Sequence, residues 1–180
     1  MPVAIRESRQ MQAFSWACIW KEKMIDINEI KAKFSYDAKT GIVFKIKPNG
    51  EKVRASFLCS RQGRNRVSFK SKKMYAYRVA WLLHHGMWPS GEIDHINGDH
   101  SDDRLCNLRD VSRSQNQENI RRPTSRNRLG VLGVSKNKDR YSASIKTHGA
   151  VRHLGSYKTA EDAHEAYLQA KRSLHAGCTL

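Results

Sequence analysis

Residues 92–109 read EIDHINGDHSDDRLCNLR, and the architecture of the middle of the chain follows from how this stretch is parsed. EIDHI and the NLRDV that overlaps its far end are both short, β-prone runs, and a polar, acidic loop with the turn-forming Asn97-Gly98 pair separates them. A helix follows. Ser112 stands at its N-cap with Gln115 three positions on, the spacing of a capping box. Pro123 disfavours helical geometry in the residue before it, so the helix is expected to stop near Arg121 or Arg122. The local order is therefore strand, loop, strand, helix. Within residues 92–110 fall Glu92, Asp94, Asp99, Asp102, Asp103 and Asp110, six of the 17 carboxylates in a chain with 33 Lys and Arg. That concentration of acid in a basic chain asks for a cation.

The formal net charge of +16 and pI of about 10.0 point to a polyanionic partner. Each Lys or Arg set against a phosphate releases a condensed counterion, so nucleic acid is favoured. Both halves share the excess, with +10 over residues 1–124 and +6 over 125–180. The four cysteines at 18, 59, 106 and 178 form no C-x-x-C pair, so neither a zinc ribbon nor a dithiol redox site is signalled and a reducing compartment is expected. No run reaches the eighteen or so apolar residues of a membrane helix. The MQAFSWACIW run is interrupted by Gln12 and Ser15 and is read as a partly apolar leader.

A basic protein with an acidic cluster suits phosphodiester hydrolysis. That chemistry needs a base for water, a cation for the charge growing on phosphate and help for the leaving oxygen. A hard cation prefers oxygen ligands: Asp94 offers a carboxylate, and Asn116 and Asn119 on the helix offer amide oxygens. His95 suits the base, since a neutral imidazole is well populated near pH 7. Adjacent strand residues face opposite ways, so Asp94 and His95 divide the labour rather than act as equivalent ligands. The imidazole also needs an acceptor to hold one tautomer, and Asn107 at the start of the second strand is placed there. Asp99, Asp102 and Asp103 are read as shaping the loop. His84, His85 and His100 are read as structural or exposed.

D-H-I-N-G-D, then N-L-R, then S-Q-N-Q-E-N resembles the HNH endonucleases of the phage and intron-encoded homing type. Asp94 and His95, Asn107 twelve residues beyond the histidine and Asn116 nine beyond that match the order and interval of the family's motif. The resemblance implies a ββα-metal fold, one Mg²⁺ or Mn²⁺ ion held by Asp94 and Asn116, His95 as general base, Asn107 orienting it, and 5′-phosphate products. It extends upstream through SYDAKTGIVFKIK and YRVAWLLHHGMWP. There Tyr77-Arg78 replaces a common His-Arg, which leaves Arg78 as the candidate for transition-state charge.

Upstream of the window, Ile42, Phe44 and Ile46 alternate as a strand and RVSFKSKKMYAY reads as one further extended segment. YRVAWLLHH is a helix stopped at Gly86. Downstream, RRPTSRNR is a linker able to lie along phosphates through Arg121, Arg122, Arg126 and Arg128. Three strand candidates follow, the last two joined around His148 and Gly149. The closing helix is N-capped by Thr159 and carries Ala163, Tyr167, Ala170 and Leu174 on one face. GVSKNKDRYSASIKTHGAVRHLGSYKTAEDAHEAY resembles the APETALA2 or ethylene-response-factor DNA-binding domain, which implies a sheet in the major groove. Lys136, Arg140, Lys146 and Arg152, read as a set on one sheet face, are the contact candidates. Ser135, Tyr141 and Ser144 depart from the plant pattern, so its sequence preference does not carry over.

Together these readings predict an α+β protein: a small β-rich N-terminal unit, a central ββα-metal (HNH) module with its core at about 92–121, and a C-terminal three-stranded antiparallel sheet packed on one helix. Residues 1–24 are a leader, 25–122 the N-terminal unit and nuclease module, 123–129 a basic linker and 130–177 the DNA-binding domain. The resemblances cover about residues 25–177. They imply a cytoplasmic enzyme, in the host cell if phage-encoded, acting on double-stranded DNA with one divalent ion, no small-molecule cofactor and no membrane. The rival expectation is a non-catalytic DNA-binding protein or transcription regulator that keeps the nuclease scaffold.

Overall fold

A computed structural model describes residues 25–147 and 149–179. The leader and His148 lie outside the described residues. The chain is α+β and divides into two compact units, residues 25–95 with 99–109, and residues 96–98 with 110–179.

In the first unit, α1 (Ile27–Lys33) is capped by Asp26, whose side chain accepts from the Asn28 N–H at 2.9 Å. β1 (Phe34–Asp37), β2 (Ile42–Ile46) and β3 (Lys52–Arg54) form an antiparallel sheet in that order, with the expected alternating strand as β2. β4 (Phe57–Cys59), β5 (Arg64–Phe69) and β6 (Lys72–Tyr75) form a second. The single extended segment expected at RVSFKSKKMYAY is thus a hairpin. Lys70 and Ser71 take φ of 47° and 62°, the left-handed pair of a tight hairpin turn, and neither residue carries the Gly or Asn signal that announces one. α2 (Ala76–His85) ends as expected at Gly86, φ 79°, whose N–H bonds to Leu82 O.

The main core of this unit is Ile30, Phe34, Val43, Val67, Met74, Val79 and Leu82, drawn from both helices and both sheets. A smaller cluster of Tyr77, Ile93 and Leu108, flanked by Tyr75 and Trp81, fixes the elements that matter below. Burial of side chains of this size is worth about 1.5–3 kcal/mol each. It seats β7 (Glu92–His95), which pairs with β8 (Leu108–Val111) after a 3₁₀ turn at Leu105–Asn107.

The second unit contains α3 (Arg113–Glu118), β9 (Val134–Asn137), β10 (Arg140–Thr147), β11 (Ala150–Tyr157) and α4 (Ala160–Leu174). Both bonds of the Ser112–Gln115 capping box are present. The helix stops at Asn119, earlier than Pro123 alone would require: Asn119 N–H turns back to Asn116 O, and its buried side chain is tied to Thr179. A tertiary bond has overridden the local signal. The strands order as β11-β10-β9, all antiparallel, and the sheet packs on α4 through Val134, Ala143 and Ala163. Thr159 caps α4, accepting from Asp162 N–H at 3.1 Å. No helix among the described residues is long and apolar enough to cross a membrane.

Candidate functional site

β7 sends Ile93 into the small core and places Asp94 and His95 at its end, 5 % and 1 % exposed. His95 Nε2 lies 3.0 Å from Asp103 Oδ1, and both side chains are sealed from solvent. The Tyr77 and His100 rings meet the imidazole edge-on, with centroids at 5.1 and 5.4 Å. A carboxylate is costly to bury unless its oxygens are bonded. Asp103 meets that requirement through His95 Nε2 at Oδ1 and Asn65 Nδ2 at Oδ2, the latter at 3.0 Å, and its backbone carbonyl separately accepts from Tyr36 Oη at 2.8 Å. With the Asp103 carboxylate oxygen as acceptor, Nε2–H is the donor of this bond. The sequence places an acceptor for His95 at Asn107; Asp103, which the sequence reads as shaping the loop, is an acceptor it does not single out. Asn107 donates through Nδ2 to Asp102 O at 2.8 Å, bracing the loop that carries Asp103.

Asp94 turns to a different partner, as alternation along a strand requires. Arg109 on β8 directs Nε and Nη2 to its Oδ2 at 2.9 and 2.7 Å, charge-assisted bonds of the stronger kind. Arg109 belongs to the N-L-R of the opening stretch but was not singled out. Its position one strand across from Asp94 was the available signal. Arg78, expected to meet transition-state charge, is 3 % exposed with Nη1 3.5 Å from Gly91 O. Asp99 and Asp102 shape the loop as expected. Asp99 accepts from Ser101 N and Oγ at 2.9 and 2.7 Å, bonds that hold its carboxyl below the usual range. Asp102 accepts from Arg104 Nε and Nη2 at 2.8 and 2.7 Å. His100 is exposed, yet partial desolvation of its ring, then the Arg64 cation and His95, push its pKa down to about 4.

In the second unit, Asn116 is half-buried on α3. Asn119 caps that helix and accepts from Thr179 Oγ1 at 2.5 Å. Arg121, expected along phosphates, directs Nη2 to Ile96 O at 2.9 Å and to Thr179 O and Oγ1 at 2.9 and 2.5 Å, so it knits its own unit together. Arg122, Arg126 and Arg128 are exposed. Lys136, Arg140, Lys146 and Arg152 are exposed as well, but they do not share one face. Lys136 pairs with Tyr141 and Arg152 with Ile145, on the side covered by α4, while Arg140 and Lys146 lie on the opposite, open side. The register shift between Ala143 and Ser144 is what sequence periodicity could not reveal.

Among the described residues no three His, Cys, Asp or Glu side chains gather as a metal-ligand group, whereas a structural zinc needs four nitrogen or sulfur donors. Mg²⁺ makes a smaller demand, one or two carboxylates with water and substrate phosphate completing the shell. Asp94 is a carboxylate of that kind, buried, paired with Arg109 through Oδ2 and next in sequence to an imidazole held by a carboxylate.

Residues 74–118 match a family model described as HNH endonuclease. The match takes in α2, β7, β8 and α3, and with them Asp94, His95, Asp103 and Arg109. It covers a quarter of the chain. No curated protein and no solved structure matches the sequence.

Proposed function

We propose that the protein is a metal-dependent DNA endonuclease of the HNH homing type that hydrolyses phosphodiester bonds in duplex DNA. The observation that carries this reading is the buried His95–Asp103 pair next to Asp94 on one strand end, inside the segment that matches HNH endonucleases. Asp103 accepts a hydrogen bond from Nε2–H and so fixes the tautomer and orientation of His95, the general base of the proposed reaction. Tyr77 and His100 wall the ring so that it keeps one orientation. Asp94 is the anionic ligand for one divalent ion, Mg²⁺ or Mn²⁺, and Asn116 enters as the second ligand on motif spacing. When bound, the ion supplies positive charge to the scissile phosphate and leaving oxygen. Arg109 holds the Asp94 carboxylate in place.

The remaining assignments belong to the same proposal. Duplex DNA is held by the exposed arginines of the linker, Arg122, Arg126 and Arg128, and by the C-terminal sheet, whose open face carries Arg140 and Lys146. The likeness of that sheet to the APETALA2 domain, and a phage origin, rest on the sequence resemblance.

The test is supercoiled plasmid incubated with protein and Mg²⁺ or Mn²⁺, with and without chelator, beside a His95→Ala variant. Nicks that require both the ion and His95, with DNA binding retained in the variant, support the enzyme. Tight DNA binding with no nicking under either ion would make the chain a DNA-binding protein on a nuclease scaffold.

A further inference from the structure

Residues 52–91 contain nine Lys or Arg and no Asp or Glu, so this one stretch supplies more than half of the net charge of +16. Its middle is the β4–β5–β6 sheet, and the registers show which side each residue takes. Val67 and Met74 are buried in the core, so the alternate residues Arg64, Arg66 and Ser68 of β5 face away from it. Arg66 pairs with Phe57 on one flank and Tyr75 on the other, and Ser68 pairs with Lys73, which puts all of these on the same open side. The result is a face of cations interleaved with aromatics. The Arg66 guanidinium lies 3.9 Å over the Tyr75 ring, and Phe57 is 42 % exposed, unusual for a phenylalanine.

None of Arg64, Arg66 and Lys73 has a carboxylate partner among the described residues. Three such cations side by side repel one another, and a line of phosphates relieves that repulsion while releasing counterions. The face also leads to the candidate base. Tyr75 stacks on Tyr77 at 5.1 Å between centroids, Tyr77 meets the His95 ring at 5.1 Å, and Arg64 Nη1 lies 3.5 Å from Tyr77 Oη. Arg64 is half-buried, so it reaches solvent where the interior Arg78 does not.

We propose that the open face of β4–β5–β6 is the seat for the DNA backbone flanking the cleaved bond, with Arg64 meeting the phosphate nearest His95 and Arg66 and Lys73 meeting its neighbours along the strand. This rests on the endonuclease reading above. Arg64 then takes the transition-state charge that the sequence assigned to Arg78, and the aromatic rings hold the guanidinium groups extended so that little side-chain entropy is lost on binding.

The test compares three variants of the full chain on a short duplex and on supercoiled plasmid. In Arg64→Gln/Arg66→Gln/Lys73→Gln, the slope of log affinity against log salt falls by about 2 to 3, since each phosphate contact contributes about 0.9. Lys31→Gln/Lys39→Gln/Lys45→Gln loses the same charge elsewhere and keeps the wild-type slope. Ser68→Glu sets an anion on the open face without removing a packed side chain, and it lowers affinity even if the first variant folds poorly. Arg64→Gln alone slows nicking at saturating DNA by about 10-fold or more, whereas Lys73→Gln only raises the DNA concentration needed. A wild-type salt slope in the platform variant together with unaltered affinity in Ser68→Glu overturns the proposal, and the nuclease reading survives if nicking still needs His95. Flattened slopes with no nicking by the wild type place DNA on this face and remove the catalytic reading.

Discussion

His95 Nε2 and Asp103 Oδ1 stand 3.0 Å apart, in side chains that solvent does not reach. In the proposed endonuclease Asp103 is a positioning residue: it sets the tautomer and the angle of the imidazole without touching substrate. Asp103→Asn keeps the shape but offers an amide where an anion stood. Nicking under single turnover is expected to fall by about 10- to 100-fold, the usual cost of losing a partner that orients a catalytic imidazole, while DNA affinity stays within twofold. Asp103→Ala also removes one of the two acceptors of Asn65 Nδ2, the other being Ser101 O, together with the acceptor of His95 Nε2, and each unmet donor costs about 1–3 kcal/mol in urea unfolding. A full-rate Asp103→Asn enzyme would rule out the positioning role.

Gly41 guards the same residue from behind. Its φ is +73°, and a Cβ there would stand 2.7 Å from Arg104 N and 2.8 Å from the Asp103 carbonyl carbon. Gly41→Ala combines a left-handed backbone with a backbone clash, so we expect a loss of about 2–3 kcal/mol in stability. Because the clash displaces the segment that carries Asp103, nicking should fall more steeply than the folded fraction does. Parallel chevron and plasmid assays separate the two effects.

His100 carries the pH signature. Its folded-state pKa of about 4 lies below the ordinary value of 6.5, so the unfolded chain takes up the proton first. The contribution of neutral His100 to stability is complete above about pH 6.5 and is lost as pH falls toward 4. Denaturant unfolding at pH 7.5, 6 and 5 should show that decline, and His100→Gln should flatten it. Imidazole resonances that titrate near 6.5 in the folded protein would refute the assignment.

What the sequence made legible here were features confined to one turn of chain. The Ser112–Gln115 box, the Thr159 cap and the Gly86 stop each depend on residues within four positions, and each stands where the pattern put it. The Asp94-His95 pair is singled out by motif spacing, which needs no coordinates, and it lies inside the segment that matches the HNH model. Asp103 was not: its value comes from Asn65 and Tyr36, 38 and 67 residues away, which close around it only in the fold. The Lys70–Ser71 turn hid for the opposite reason, since two unremarkable residues adopt left-handed geometry because the flanking strands pair.

The same limit applies to the C-terminal sheet, where alternation alone put four cations on one side. The register separates them, with Arg140 and Lys146 on the open face beside Ser142 and Ser144, and Lys136 and Arg152 on the face that α4 covers. A duplex laid on the open face meets the first pair directly and the second only at its rim. Arg140→Gln/Lys146→Gln should therefore flatten the salt dependence of DNA binding by about 1.8, at about 0.9 per phosphate, and Lys136→Gln/Arg152→Gln by less than half as much. Fluorescence anisotropy with a short duplex across a salt series measures both. Equal effects from the two pairs would mean that DNA does not lie on the open face, and the C-terminal sheet would then hold its partner by an edge.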